Sequence, residues 1–193
     1  MLSAEYREVD KRKITIDDRE LSARLGKLCS HKDPELSCIV DSVIRESDPK
    51  YAAIACPVTV DGGEVILGFG RVKSFALAKC LSGYREAYVF AITLGIGVDR
   101  LVSRISKISR AEAFIYDAVA SALAEAVCDV AEAEIVGDRE KGFRFAVGYG
   151  DFSLDHQGSV LDYLGAPTYL GISLTDSGLM VPFKTITAVV GVK

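Results

Sequence analysis

The sequence predicts an α+β fold, a largely antiparallel bent sheet with flanking helices, from three observations. Extended runs at 51–60 and 64–69 are joined by Asp61-Gly62-Gly63, a composition that supplies the positive φ of a hairpin turn. The apolar run from Glu86 to Leu94 is nearly continuous, the pattern of a strand covered on both faces. Helical and extended segments follow one another irregularly, unlike the regular repeat of a wound parallel sheet.

Each element has a local justification. A short strand is expected at Ile14-Thr15-Ile16. Asp17, with Glu20 at the box position, caps a first helix whose Leu21, Leu25 and Leu28 form one face. Asp33-Pro34 opens a second helix with Leu36, Ile39, Val40, Val43 and Ile44 as its buried stripe, and Asp48-Pro49 stops it. The hairpin follows, then a helix opened by Ser74, running to about Leu81 and closed by Gly83. After the interior strand, Gly95-Ile96-Gly97 leads straight into a helix at Val98. Ser109-Arg110-Ala111-Glu112 is a capping box for the longest helix, on which Ile115, Val119, Leu123, Val127 and Val130 keep helical spacing up to Gly137. The last third reads as strand 143–147, a Gly-Tyr-Gly-Asp turn, helix 154–164, strand 169–174, a Thr-Asp-Ser-Gly turn and strand 185–192. A seam near 46–50 divides an N-terminal helical segment, 1–48, packed on the main domain, from an α+β domain at 49–193.

Of the 193 residues, 49% are hydrophobic and 26% charged, the range of a folded globular chain and outside that of a disordered one. A net charge of -4, with no like-charged block beyond Lys11-Arg12-Lys13, argues against nucleic acid as a partner. No stretch approaches the roughly 20 apolar residues of a membrane span, and the N-terminus has no signal-peptide core. A cytoplasmic location without a membrane partner is expected. Five scattered cysteines without a CxxC and only two histidines disfavour a disulfide framework or a His-based metal site, so no metal ligand is expected.

Gly95-Ile96-Gly97 precedes a helix as phosphate-binding turns do, but it lacks the third glycine and the acidic residue of a dinucleotide site. A tight turn that needs small residues is the plainer reading. Asp117, Ser121 and Glu125 share a stripe on the long helix, either as a solvated face or as an anchor for a neighbouring loop or ligand. No Ser-His-Asp set can be assembled, and no catalytic residue is assigned. Unusual features are densest at 144–157, where Arg144 leaves a strand, Gly148 and Gly150 bracket Tyr149, and Asp151 with Ser153 opens a helix. Arginine forks onto carboxylates, glycine lets backbone approach a ligand, and tyrosine offers a flat face with a hydroxyl. These are binding groups rather than a general acid and base.

Arg144-x-x-x-Gly148-Tyr149, Asp155-His156-Gln157, Gly171-Ile172-Ser173-Leu174-Thr175-Asp176-Ser177 and Met180-x-Pro182 together resemble the activation domain of cobalamin-dependent methionine synthase. Thr93-Leu94-Gly95 and Asp117-Ala118-Val119-Ala120-Ser121 resemble that family's strand, glycine turn and long helix, and the likeness runs from about residue 50 to 191. Val147 stands where the full-length enzyme's motif has proline before Gly-Tyr, and Asp176 where glutamate is usual, and in this the chain resembles the short, free-standing branch of the family. The resemblance implies an S-adenosylmethionine site at Arg144, Gly148, Tyr149, Thr175, Asp176 and Ser177, with the ligand's carboxylate on Arg144. It further implies a reactivation module acting in trans on a cobalamin-binding methionine synthase subunit. That module would support reductive methylation of cob(II)alamin, with the cobalamin held by the partner and a flavodoxin-like or other electron donor. A docking or regulatory subunit of a corrinoid methyltransferase that has lost S-adenosylmethionine binding is the alternative. A nucleotide-binding enzyme using Gly95-Ile96-Gly97 is the third.

Overall fold

The computed structural model describes residues 4–193. Strand β1 (Glu5–Glu8) comes first, followed by a 3-10 turn at Lys11–Lys13 that the Asp10 side chain caps. The Asp17 carboxylate accepts the Arg19 N–H at the start of helix α1 (Asp18–Leu25). Gly26, at φ 64°, ends that helix in the left-handed conformation. Leu28 therefore falls outside the helix and stands exposed instead of extending the Leu21 face. Helix α2 (Pro34–Glu46) begins with proline at its first position.

Strand β2 (Lys50–Pro57) takes most of the extended run expected at 51–60 and stops at a proline, which has no N–H to donate. The end of the run, β3 (Thr59–Asp61), turns at Gly62-Gly63 into β4 (Glu64–Leu67), which is followed by β5 (Gly70–Lys73). The expected hairpin forms, but it belongs to a separate three-stranded sheet. Helix α3 (Phe75–Leu81) starts at Ser74, whose Oγ accepts the Leu77 N–H. Strand β6 (Glu86–Thr93) and helix α4 (Ile96–Ser106) flank Gly95. Helix α5 (Arg110–Val136) takes its cap from Ser109, which accepts the Glu112 N–H as the capping box requires.

The expected strand at 143–147 contracts to β7 (Phe145–Ala146), and the expected helix at 154–164 opens as one 3-10 turn before α6 (Gln157–Leu164). The expected strand at 169–174 shrinks to β8 (Ser173–Leu174): a short helix with Pro167 in its first turn, α7 (Ala166–Tyr169), takes Tyr169, and residues 170–172 form the connection. Strand β8 pairs with β9 (Met180–Val181), and β10 (Thr185–Val192) closes the chain. Ile14-Thr15-Ile16 is not a strand. The N-terminal strand is β1, and Ile14 and Ile16 pack instead into the core against α5.

Five strands form one antiparallel sheet in the order β1-β2-β6-β10-β7. Side chains alternate across it, so β6 sends Phe90 and Ile92 to one face and Ala87, Val89 and Ala91 to the other. The first face meets α5, and the second meets α3, α6 and the three-stranded sheet. Both faces are covered by apolar layers, which accounts for the near-continuous apolar run in β6. Leu21, Leu36, Val40 and Val43 of α1 and α2 belong to the same cluster as Phe90 and Ile92, with α5 between them and the sheet. The α5 stripe packs as its spacing predicts: Val119, Leu123 and Val127 are wholly buried, and Ile115 and Val130 partly. Because α1, α2 and α4 cover its other side, α5 is buried almost all round, which suits its many alanines.

Truncating Leu123 to alanine leaves a cavity between sheet and helices that rigid neighbours cannot close. Leu123→Ala is therefore expected to lower stability by about 2–5 kcal/mol, read as a lower urea midpoint with an unchanged slope.

Candidate functional site

The β7–β10 register sets Ala146 opposite Ala188 and Phe145 opposite Val189. Phe145 shares the face of Val189, toward α3 and α6, while Arg144 projects to the α5 face. There Arg144 meets three carboxylates. Its Nη1 donates to Asp129 Oδ1 at 2.8 Å and to Glu132 Oε2 at 2.9 Å, and its Nη2 donates to Glu125 Oε2 at 3.0 Å. The acids follow one another at steps of four and three along α5, which stacks them on one line of the helix. Glu132 is buried to 4% exposure and also pairs with Lys141, so its charge is answered from two sides. Burial works against the Arg144 guanidinium charge, yet the Asp129 and Glu132 carboxylates hold its pKa above the ordinary value. Burial also pushes the Cys128 thiol up to about 12, so it stays protonated.

Gly148 and Tyr149 lie in the turn that follows β7. Gly148 N–H donates to the Phe152 carbonyl at 2.8 Å, and Tyr149 N–H to the Ala146 carbonyl at 3.1 Å. Gly148 sits at φ 89°, where a side chain would be strained and its Cβ would meet Leu154. The Tyr149 ring is 70% exposed and packs edge-on against Phe145 at 5.8 Å. Asp151 in the same turn accepts the N–H groups of Phe75 and Ala76, at 2.8 and 3.2 Å, and the Ser74 hydroxyl. The Ser74 hydroxyl and then the two amides hold the Asp151 pKa below the usual carboxylate range. Thr175, Asp176 and Ser177 form the exposed tip of the β8–β9 hairpin, where Thr175 Oγ1 lies 2.9 Å from Ser177 Oγ and accepts the Leu179 N–H.

The six expected site residues thus divide three ways. Gly148 and Tyr149 share a turn on the Phe145 side, Arg144 lies on the α5 side, and the Thr175–Ser177 tip satisfies its hydroxyls internally. Two clefts adjoin Arg144. One, of about 360 Å³, is lined by Asp17, Glu20, Glu125 and Asp129, and the other, of about 650 Å³, by Cys80, Tyr84, Lys141 and Phe143. Neither is lined by Tyr149 or the hairpin tip.

The remaining polar members of the α5 stripe have a definite partner. Lys184, at the entry to β10, places its ammonium 2.7 Å from Asp117 Oδ1 and donates to Ser121 Oγ at 2.8 Å. Asp117 and Ser121 therefore anchor a neighbouring loop. The cation itself escaped the sequence reading, although its position one residue before a strand was visible. Gly95, at φ 76°, and Gly97, whose Cβ would run into the Glu46 carbonyl, serve a tight turn and the close approach of α4 to α2. Among the described residues, no cluster of three His, Cys, Asp or Glu side chains is arranged to hold a metal ion. No helix among them is long and apolar enough to cross a membrane.

No protein-family profile and no curated protein sequence matches this chain. Its fold does match a solved structure, described as the MetH reactivation domain bound to AdoHcy. The two share 14% identity at a TM-score of 0.71, over 98% of this chain and 78% of that one. The chain has the fold of that reactivation domain, an antiparallel sheet with flanking helices.

Because the Asp151 pKa is lower folded than unfolded, its contribution to stability is complete above the ordinary carboxylate value of about 3.9 and is lost as pH falls through the folded value. Asp151→Asn should reduce the loss of thermal stability on acidification relative to the parent, and an identical acid limb in the two proteins would contradict this role. Removing Arg144 leaves Glu132 buried with Lys141 alone. Arg144→Ala should therefore cost about 3–5 kcal/mol in a denaturant titration, the range for breaking a buried pair from one side.

Proposed function

We propose that this chain is an S-adenosylmethionine-binding reactivation module acting in trans on a cobalamin-dependent methionine synthase. The observation that carries the reading is the fold, which follows the MetH reactivation domain over 98% of this chain. The motifs Arg144-x-x-x-Gly148-Tyr149 and Thr175-Asp176-Ser177 add support from the sequence. When bound, S-adenosylmethionine supplies a methyl group for the reductive methylation of cob(II)alamin, with the cobalamin held by the partner and an electron from a flavodoxin-like or other donor. The chain's own part is to bind and orient, in keeping with binding turns and no acid-base pair. A cytoplasmic location accompanies this role. Residues 1–48 would be an N-terminal segment packed on the domain that holds the ligand, joined to it through β1 and a shared core.

Arg144 as placed does not fit a ligand carboxylate, because three acids of α5 already occupy it. A ligand could take the guanidinium only by displacing one of them. That observation favours a second reading, a docking or regulatory subunit of a corrinoid methyltransferase that has lost S-adenosylmethionine binding.

Calorimetric titration of the full chain with S-adenosylmethionine and with S-adenosylhomocysteine separates the two readings. Saturable heat with either ligand is the expected result. If the ligand carboxylate displaces an acid from Arg144, Arg144→Lys weakens binding by about tenfold or more, since a point charge cannot reproduce the fork. Absence of heat with both ligands overturns the first reading in favour of the second.

A further inference from the structure

A groove of about 680 Å³ runs between α4 and the connection from β9 to β10, away from the clefts at Arg144. Its α4 wall carries a surplus of positive charge: Asp99 and Glu46 also line the groove, but Asp99 accepts the Phe183 N–H and Glu46 faces Arg104. Arg100, Arg104 and Lys107 follow at helical spacing on the exposed face, while Val98 and Leu101 of the same helix are buried. Arg104 lies 3.9 Å from Glu46, and among the described residues Arg100 and Lys107 have no carboxylate within ion-pair distance. The opposite wall is apolar, formed by Val181 and Phe183, with Ile96 at the end of the groove.

Phe183 is 61% exposed, yet the backbone around it is fixed. Its own N–H donates to Asp99 Oδ2 at 2.8 Å. The Pro182 carbonyl accepts the Thr185 hydroxyl at 2.7 Å, and the Lys184 carbonyl accepts the Leu94 N–H at 2.9 Å. The Lys184 side chain is pinned to Asp117 and Ser121 of α5. Helices α4 and α5 together hold a large aromatic side chain out in water. No packing within the chain requires that exposure, and a rigid aromatic anchor has less conformational freedom to lose on binding.

We propose that this groove docks an acidic segment of a partner protein. One apolar side chain of the segment packs on Phe183 and Ile96, and its carboxylates lie along Arg100, Arg104 and Lys107. Charge complementarity selects this occupant. The stripe is positive on a chain whose net charge is -4, so an extended polyanion such as a nucleic acid or an anionic membrane meets net repulsion from the rest of the molecule. A short acidic segment engages the stripe alone, since charges beyond about 10 Å are screened. The groove is separate from the residues proposed to hold S-adenosylmethionine, so the inference does not depend on that ligand binding.

The test is to pan the immobilised full chain against a phage library of random short peptides. Anionic phosphatidylserine vesicles and a single-stranded oligonucleotide serve as parallel probes. Selected peptides should be rich in Asp and Glu around one large apolar residue. A synthetic consensus peptide should bind about tenfold or more weakly to Phe183→Ala and to the double variant Arg100→Glu, Arg104→Glu, and more weakly in high salt. Circular dichroism establishes that each variant is folded, and the double variant, on an exposed helix face, decides if Phe183→Ala is not. Failure to select an acidic consensus, or a consensus peptide that binds both variants as it binds the parent, overturns the proposal. Vesicle or oligonucleotide binding that the double variant abolishes, with no acidic peptide selected, overturns it in favour of that other partner.

Discussion

Both faces of the five-stranded sheet must be covered, because β6 and β10 carry apolar side chains in both directions. Phe90, Ile92, Ala188 and Val190 face α5, while Val89, Ala91 and Val189 face α3 and α6. Leaving either face in water would expose several large side chains, each worth on the order of 2 kcal/mol when buried. Helix α5 lies along the first face and is itself covered by α1, α2 and α4. A helix buried on nearly every side can keep polar groups only at its margins. The positions 117, 121, 125, 129 and 132 form that margin on α5, and they receive the cations that precede two strands, Lys184 before β10 and Arg144 before β7.

Much of the fold was legible because local chemistry and tertiary structure agree. The Asp17 and Ser109 caps, the proline starting α2, the Gly62-Gly63 turn and the run of β6 each state one local preference, and the structure honours all of them. What was not legible depends on partners far away in sequence. The run 51–60 looks uniform, yet Pro57 divides it between two sheets, and nothing local says that β3 leaves the main sheet. Strand β1 is Glu-Tyr-Arg-Glu, without apolar alternation, because it is an edge strand and its charges discourage further pairing. Its hold on the fold comes from Tyr6, which stacks on Tyr169 at 3.8 Å and donates its hydroxyl to the Leu164 carbonyl, residues about 160 positions away.

The candidate site was less legible for the same reason. Residue type and spacing identified Arg144, Gly148 and Tyr149 as unusual, and Gly148 does sit where only glycine is comfortable. Spacing cannot say which face of a strand an arginine takes. That is decided by β7 pairing with the middle of β10, which turns Arg144 to α5. The acids that meet it were themselves readable as a line along a helix, but that line was followed only from Asp117 to Glu125. Extending it by steps of four and three reaches Asp129 and Glu132, and Glu132, flanked by Cys128, Ala131 and Ile135 of the buried side, is a carboxylate to which a cation must come.

The charge balance around Arg144 bears directly on what can bind there. Glu20, Glu125, Asp129 and Glu132 supply four negative charges, and Arg24, Arg144 and Lys141 supply three positive ones, so the cluster has a negative surplus of one. An incoming carboxylate must compete with acids already fixed on a rigid helix, for a guanidinium with no free Nη1 donor. A positively charged group meets the opposite situation, since Glu125 and Asp129 are partly exposed and line the adjoining cleft. A ligand carrying both signs would be drawn here by its cationic end, with its carboxylate turned away from α5. The motif at Arg144 is therefore present in the sequence while its arginine is answered internally by acids of the facing helix.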